Sequence, residues 1–316
     1  MDEKETKTVT KRARKGKRSP ERREKKLLMI VNPRAGRNKS RGPLYDAAAI
    51  LSGSGYLLRI HNTVAPGDAR DLARREGGNY DAVVAVGGDG TLNEVVSGLM
   101  KLDNPPPLGY MPQGSTNDFA ASLRLSSEPP EAAAVIAQSS GRKLDIGQWN
   151  RRYFVYVASF GAFTRTSYSA PQNVKNALGH FAYVLEGVKD LGSLRPYPIR
   201  LNADGENLDG EYLFGAVCNT LSIGGIVKLA PEHVALDDGK FELLLAPNPR
   251  TPADLQDLMI SAVNQDYAGK GFVFRHVSSI RIETEEALPW SLDGEYAPGA
   301  PKVEISNRRQ AISMLL

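Results

Sequence analysis

Apolar residues fall first into short continuous runs and later into alternating ones, and this change is the main signal along the chain. Lys26-Leu27-Leu28-Met29-Ile30-Val31 is an apolar run of strand length, stopped by the turn residues Asn32-Pro33-Arg34-Ala35-Gly36. Residues 43–51 then predict a helix, 56–60 a strand and 67–73 the opening of another helix, before Ala82-Val83-Val84-Ala85-Val86 forms a further apolar run. Strands apolar throughout and alternating with helices predict a parallel sheet covered on both faces. The N-terminal region is therefore of the α/β class.

Past about Leu144 the runs alternate or are rich in aromatics: residues 153–158, 197–201, 212–218, 241–245, 280–284 and 302–305. They predict mostly antiparallel strands. Two helices interrupt them. Val174, Leu178, Phe181, Leu185 and Val188 recur at helical spacing on one face. Thr251 is placed as an N-cap, with Pro252 at the first helical position and Asp254 at the third, ahead of Leu255, Leu258, Met259 and Ala262. The C-terminal region reads as β-rich with inserted helices.

Composition narrows the class. The 316 residues, 41% apolar and 24% charged, are those of a globular protein of about two domains rather than a fibrous or disordered chain. The single cysteine, Cys218, cannot close an intrachain disulfide, and inside an apolar strand it reads as a small buried hydrophobe in a reducing, cytoplasmic setting. No window has the length of a membrane span and residues 1–26 lack a signal-peptide core, so any membrane contact is expected from the surface. Charge is uneven: residues 1–26 hold 12 Lys and Arg against five Asp and Glu, the remainder 28 against 31. Such a tail is expected to be disordered. It serves either as a solubilising extension or as an attachment to anionic lipid, each basic residue near such a surface contributing about 1 kcal/mol. Nucleic acid is not expected as a partner, because no aromatics are interleaved with the charge.

The chemistry lies in the loops. The strand at 82–86 runs into Gly87-Gly88-Asp89-Gly90-Thr91 and then a helical pattern, and this junction of strand, glycine loop and helix start is suited to an anion. An acidic Asp89 in its middle makes more sense if a divalent cation mediates. A similar junction follows where Leu108-Gly109-Tyr110-Met111-Pro112 ends in Gln113-Gly114-Ser115-Thr116-Asn117-Asp118 and a further helix. With Asn32-Pro33-Arg34-Ala35-Gly36 these make three strand-end loops, the place where open α/β sheets bind ligands. The four histidines, His61, His180, His233 and His276, lack ligand spacing and read as structural or surface residues.

The three loops, in their order and spacing, resemble the diacylglycerol kinase catalytic domain, specifically bacterial soluble lipid kinases. The resemblance extends to Leu144-Asp145-Ile146-Gly147, Ala230-Pro231, residues 236–241 and Leu292-Asp293-Gly294-Glu295, and so covers the chain from Leu27 onward. It implies a nucleotide-binding α/β domain like that of NAD kinase or phosphofructokinase, over residues 27–143 with a returning segment near 307–316. A β-sandwich-like domain is implied over 144–306, with the basic tail, 1–26, outside both. It implies ATP and Mg2+ as cofactors and a lipid acceptor at a membrane surface, with diacylglycerol first and another lipid or NAD as alternatives. Asn32, Thr63, Gly87, Gly88, Asp89, Gly90, Thr91, Asn93, Gly114, Ser115 and Thr116 are implied as nucleotide contacts. Asp89, Asp118 and Asp145 are implied to organise Mg2+, and Asp238 to hold a structural metal with the carbonyls of Ala235 and Lys240. Asp293, with Glu295 two residues on, is implied as the general base, Asp89 acting beside them.

Without the resemblance the same residues have plainer readings. Asp-Gly at 293–294 is a hairpin signal, Asp237-Asp238-Gly239 an acidic turn, and Asp145 a strand-end residue. A non-catalytic nucleotide- or lipid-binding protein is the alternative from another class, and retention of Asp89, Asp118, Asp145 and Asp293 speaks against it. An exposed strand edge in the second domain would permit a homodimer.

Overall fold

The computed structural model describes residues 24–35, 41–115, 117–161, 195–223 and 227–316. The expected tail up to residue 23, the helix through Phe181 and Leu185, His180, Gly36 and Thr116 lie outside the described residues.

The N-terminal half alternates β1 (Lys25–Val31), α1 (Arg41–Gly53), β2 (Tyr56–Asn62), α2 (Asp68–Glu76), β3 (Ala82–Gly87), α3 (Asp89–Leu99), β4 (Leu108–Pro112), α4 (Asp118–Ser122) and α5 (Pro129–Gln138). β1 lies between β2 and β3, and β3 pairs with β4, all parallel. Both faces of β1 and β3 are buried, which is why these strands carry no polar alternation. Ala47, Leu51 and Ile136 of α1 and α5 pack on Leu27, Met29 and Val84. Leu72, Val95 and Leu99 of α2 and α3 pack on Leu28, Val83 and Ala85 from the other side. Each fully buried Leu, Ile or Val of this kind contributes about 1.5–3 kcal/mol.

The C-terminal half contains β5 (Arg142–Trp149), β6 (Arg152–Phe154), β7 (Val157–Gly161), β8 (Tyr197–Ala203), β9 (Glu206–Asn207), β10 (Gly210–Cys218), β11 (Ser222–Ile223), β12 (Val227–Lys228) and β13 (Phe241–Pro247). α6 (Pro252–Asn264), β14 (Val273–Val277), β15 (Ser279–Glu283), β16 (Trp290–Leu292), β17 (Glu295–Ala297) and β18 (Lys302–Leu315) complete it. Strands β7, β10, β13, β14, β16 and β17 form one antiparallel layer. β5, β8, β15 and β18 face it across a core of Trp149, Phe160, Ile199, Leu243, Ile282 and Trp290. Trp290 stacks at 5.0 Å from Phe160 and 6.0 Å from Trp149. This is the expected β-sandwich-like unit beside an α/β unit.

Several expected boundaries shift. The run at 153–158 is two strands, broken at Val155-Tyr156. The run at 302–305 continues to Leu315, because after a bulge near Gln310 (φ 51°) its alternation resumes with buried Ile312 and Met314. The domain boundary placed at 143/144 falls inside β5, whose whole length pairs with β18. β18 itself joins β15 through residues 302–306 and runs parallel to β4 at Met314 and Leu315, so one strand serves both halves. No helix among the described residues is long and apolar enough to cross a membrane.

Candidate active site

Each parallel strand delivers a loop at its carboxyl end. The Asn32 N–H donates to Val86 O at 2.8 Å, Thr63 N–H to Val31 O at 2.8 Å and Gln113 N–H to Gly87 O at 2.7 Å, so the loops leave the sheet side by side. Chain order reverses between β1 and β3, the switch point where such sheets bind ligands. The glycine loops touch: a Cβ on Gly114 would lie 2.6 Å from Gly88 Cα, an approach open only to glycine. The Asn32 side chain donates to Thr91 Oγ1 at 3.1 Å. α3 starts straight from Gly88 without a side-chain cap, leaving its first N–H groups at the loop, where they favour an anion. A cavity of about 720 Å³ opens there, lined by Asn32, Thr63, Gly88, Gly90, Thr91, Gly114 and Ser115, with Arg151, Arg152, Tyr153 and Glu295 on the far wall.

Behind the glycine loop lies a buried acidic region. Asp89 Oδ2 accepts the Asp118 N–H at 3.1 Å, while Asp89 Oδ1 is buried and has no hydrogen-bond partner among the described residues. Burial raises the Asp89 pKa, against the backbone donors at the start of α4. Tyr110 and Tyr156 face it, and both phenols are raised, first by burial and then by the charges of Asp89 and Asp118. An orphaned carboxylate oxygen beside a second buried carboxylate is a hard-oxygen set that fits a hydrated divalent cation.

Asp145 does not join this set. Its carboxylate accepts the N–H of Gly239 at 2.6 Å, the Gln310 N–H at 2.7 Å and the Asn307 side chain at 3.1 Å, fastening the 237–240 turn to β18. Ala235, Asp238 and Lys240 do share one exposed turn, but Asp238 Oδ1 accepts the Lys240 N–H and the Lys240 carbonyl is taken by Asn307. Among the described residues no three acidic, histidine or cysteine side chains gather as a metal site.

Asp293 and Gly294 (φ 49° and 84°) make the tight turn between β16 and β17. The Asp293 carboxylate is buried and accepts four donors: Val155 N–H at 2.7 Å and Asn93 Nδ2 at 2.6 Å on Oδ2, Tyr156 N–H at 3.0 Å and Val157 N–H at 3.1 Å on Oδ1. Those three consecutive N–H groups explain the break between β6 and β7. Burial pushes the Asp293 pKa up to about 6 in spite of the donors. The Asp293 carboxylate is thus engaged on both oxygens within the protein. Glu295, two residues on, is exposed in the cavity, its Oε1 3.3 Å from where a Cβ on Gly90 would stand.

Residues 26–149 match the model of the diacylglycerol kinase catalytic domain, and residues 157–315 that of the YegS C-terminal NAD kinase beta sandwich-like domain. The chain is 34% identical over 282 residues to a diacylglycerol kinase of Bacillus subtilis (strain 168), covering 88% of this chain and 92% of the relative. The chain belongs to the diacylglycerol kinase family. A diacylglycerol kinase of Staphylococcus aureus (strain bovine RF122 / ET3-1) is also 34% identical, over 279 residues and 88% of each chain. A crystal structure of a diacylglycerol kinase from Bacillus anthracis (strain Sterne) superposes with a TM-score of 0.74 at 25% identity, covering 92% of this chain and 96% of that one. The protein is thus an enzyme of the lipid-kinase class.

Other residues of this lipid kinase's cavity carried no sequence signal. Arg151, Arg152 and Lys101 join Arg34 of the first loop in giving it cationic walls, and Lys101 is held 4.8 Å above the Tyr153 ring. Glu94 Oε1 accepts the Gly67 N–H at 2.7 Å and fixes the loop carrying Thr63. Asn93, expected as a nucleotide contact, lines the cavity but donates both amide hydrogens elsewhere, to Asp293 and to Tyr153 O at 3.1 Å.

Proposed function

We propose that this member of the family transfers the γ-phosphoryl group of ATP to the hydroxyl of diacylglycerol at a membrane surface, in a Mg2+-dependent reaction that forms phosphatidic acid. The observation that carries this reading is one cavity holding three strand-end loops together with the exposed carboxylate of Glu295. The loop N–H groups and the start of α3 receive the phosphates. Asp89 and Asp118 are the residues to hold Mg2+, which when bound supplies charge neutralisation on the transferring group. Glu295 accepts the hydroxyl proton as the acceptor oxygen attacks, for which it must approach to about 2.6–3.2 Å. Asp293 holds the turn that presents Glu295. The relatives' names support diacylglycerol as acceptor, and the basic tail supplies attraction to anionic lipid.

The test offers ATP labelled at the γ-phosphate to dispersed diacylglycerol, ceramide, a sphingoid base, phosphatidylglycerol and NAD. Label is expected in phosphatidic acid, and label in NADP alone would defeat the reading. Glu295→Gln is expected to lower kcat by about 100-fold or more, the size of a lost acid–base group, with ATP affinity retained. Unchanged kcat would remove Glu295 as the proton acceptor.

A further inference from the structure

We infer that Asn93 is a positioning residue that couples occupancy of the glycine loop to the placement of Glu295, through its side-chain amide bridging Asp293 Oδ2 and Tyr153 O. The inference rests on the proposed phosphotransfer. Asn93 stands on the first turns of α3, whose N-terminus is the glycine loop itself. Its two N–H groups end on two different segments of the C-terminal half: 2.6 Å to the turn between β16 and β17, and 3.1 Å to the β6 strand. Asp293 in turn gathers the N–H groups of Val155, Tyr156 and Val157, while its own N–H donates to Val157 O at 2.9 Å. One amide therefore fixes the glycine-loop helix, the β6–β7 joint and the turn that carries Glu295. A displacement of α3 when phosphates enter the loop is transmitted along this chain to the carboxylate that faces the substrate. Asparagine suits the position because it offers two donors and no charge, whereas an aspartate would set a second carboxylate against Asp293.

The experiment compares the full-length wild type with Asn93→Ala and Asn93→Asp. Hydrogen exchange of the 153–158 and 290–297 segments is followed with and without Mg·ATP, a readout that needs no acceptor. In the wild type ATP is expected to slow exchange in both segments; in Asn93→Ala that response disappears while ATP still binds. With diacylglycerol, kcat is expected to fall about 100-fold in Asn93→Ala, as for a catalytic group misplaced by about 1 Å, and further in Asn93→Asp, with KM for ATP within threefold of wild type. A tenfold rise in KM for ATP at unchanged kcat would show Asn93 to be a nucleotide contact and overturn the inference. If Asn93→Ala does not fold, Asn93→Gln, which keeps the amide but moves it by one methylene, is expected to give an intermediate kcat; wild-type kcat there would also overturn it. A wild type that phosphorylates no lipid yet shows the ATP response sinks the proposed acceptor and supports the coupling.

Discussion

Two buried carboxyl groups in this chain have opposite fates, set by the donors within reach. Asp293 has four, and its pKa rises only to about 6. Glu242 on β13 is as deeply buried, its Oε2 has no partner among the described residues, and burial, with Asp238 adding to it, pushes it up to about 9. In the ladders Glu242 stands opposite Cys218 of β10 and His276 of β14; Cys218 is itself raised by burial. Glu242 is therefore a neutral acid in the folded protein. Its folded pKa lies above the unfolded value, so its contribution is complete below about pH 4.5 and declines as pH rises toward 9, with a slope of at most about 1.4 kcal/mol per pH unit. Glu242→Gln keeps the shape and removes the titration. The melting-temperature advantage of the variant over wild type is expected to be small at pH 4 and to grow by pH 8. A difference independent of pH would contradict the neutral assignment.

At the scale of elements, α6 shows what local signals can specify. Thr251 Oγ1 accepts the Asp254 N–H at 3.2 Å and Asp254 Oδ2 accepts the Thr251 N–H at 2.8 Å, a reciprocal capping box with Pro252 inside it. Thr251→Ala is expected to cost about 1 kcal/mol, seen as a melting point lower by a few degrees with kcat unchanged. An unaltered melting point would mean that the cap is not formed. The same locality explains what the sequence revealed. Asn32, the glycine loops and the Asp293-Gly294 turn are punctuated by residues whose backbone preferences are local, and all lie where those preferences place them. Partners far apart in sequence were not readable: Asn93 and Asp293 are 200 residues apart, and nothing near Asp145 announces that Gly239, Asn307 and Gln310 claim its carboxylate. The choice between Asp293 and Glu295 was hidden for a related reason. Which of two carboxylates around a turn is buried depends on the strand packed against it, here β7, and not on the turn.

Across the whole molecule β18 decides how the halves behave together. It pairs antiparallel with β15 in the sandwich, along β5, and parallel with β4 in the nucleotide-binding sheet. The core cluster containing Leu28, Val95 and Tyr110 also contains Phe214, Cys218 and Leu258, so apolar packing crosses between the halves as hydrogen bonding does. Two-domain chains often unfold in separate steps because their interfaces are small and polar. Here unfolding either half strips β18 of a neighbour and exposes a face of the shared cluster. A single cooperative heat-capacity peak is therefore expected. Ile312 is fully buried in that cluster, four residues from the C-terminus, and Ile312→Ala is expected to destabilise by about 2–5 kcal/mol. Coupled halves shift together, so scanning calorimetry of the variant should give one peak at lower temperature. Two resolved peaks, with the sandwich melting where it does in wild type, would show that β18 passes through both halves without joining them energetically.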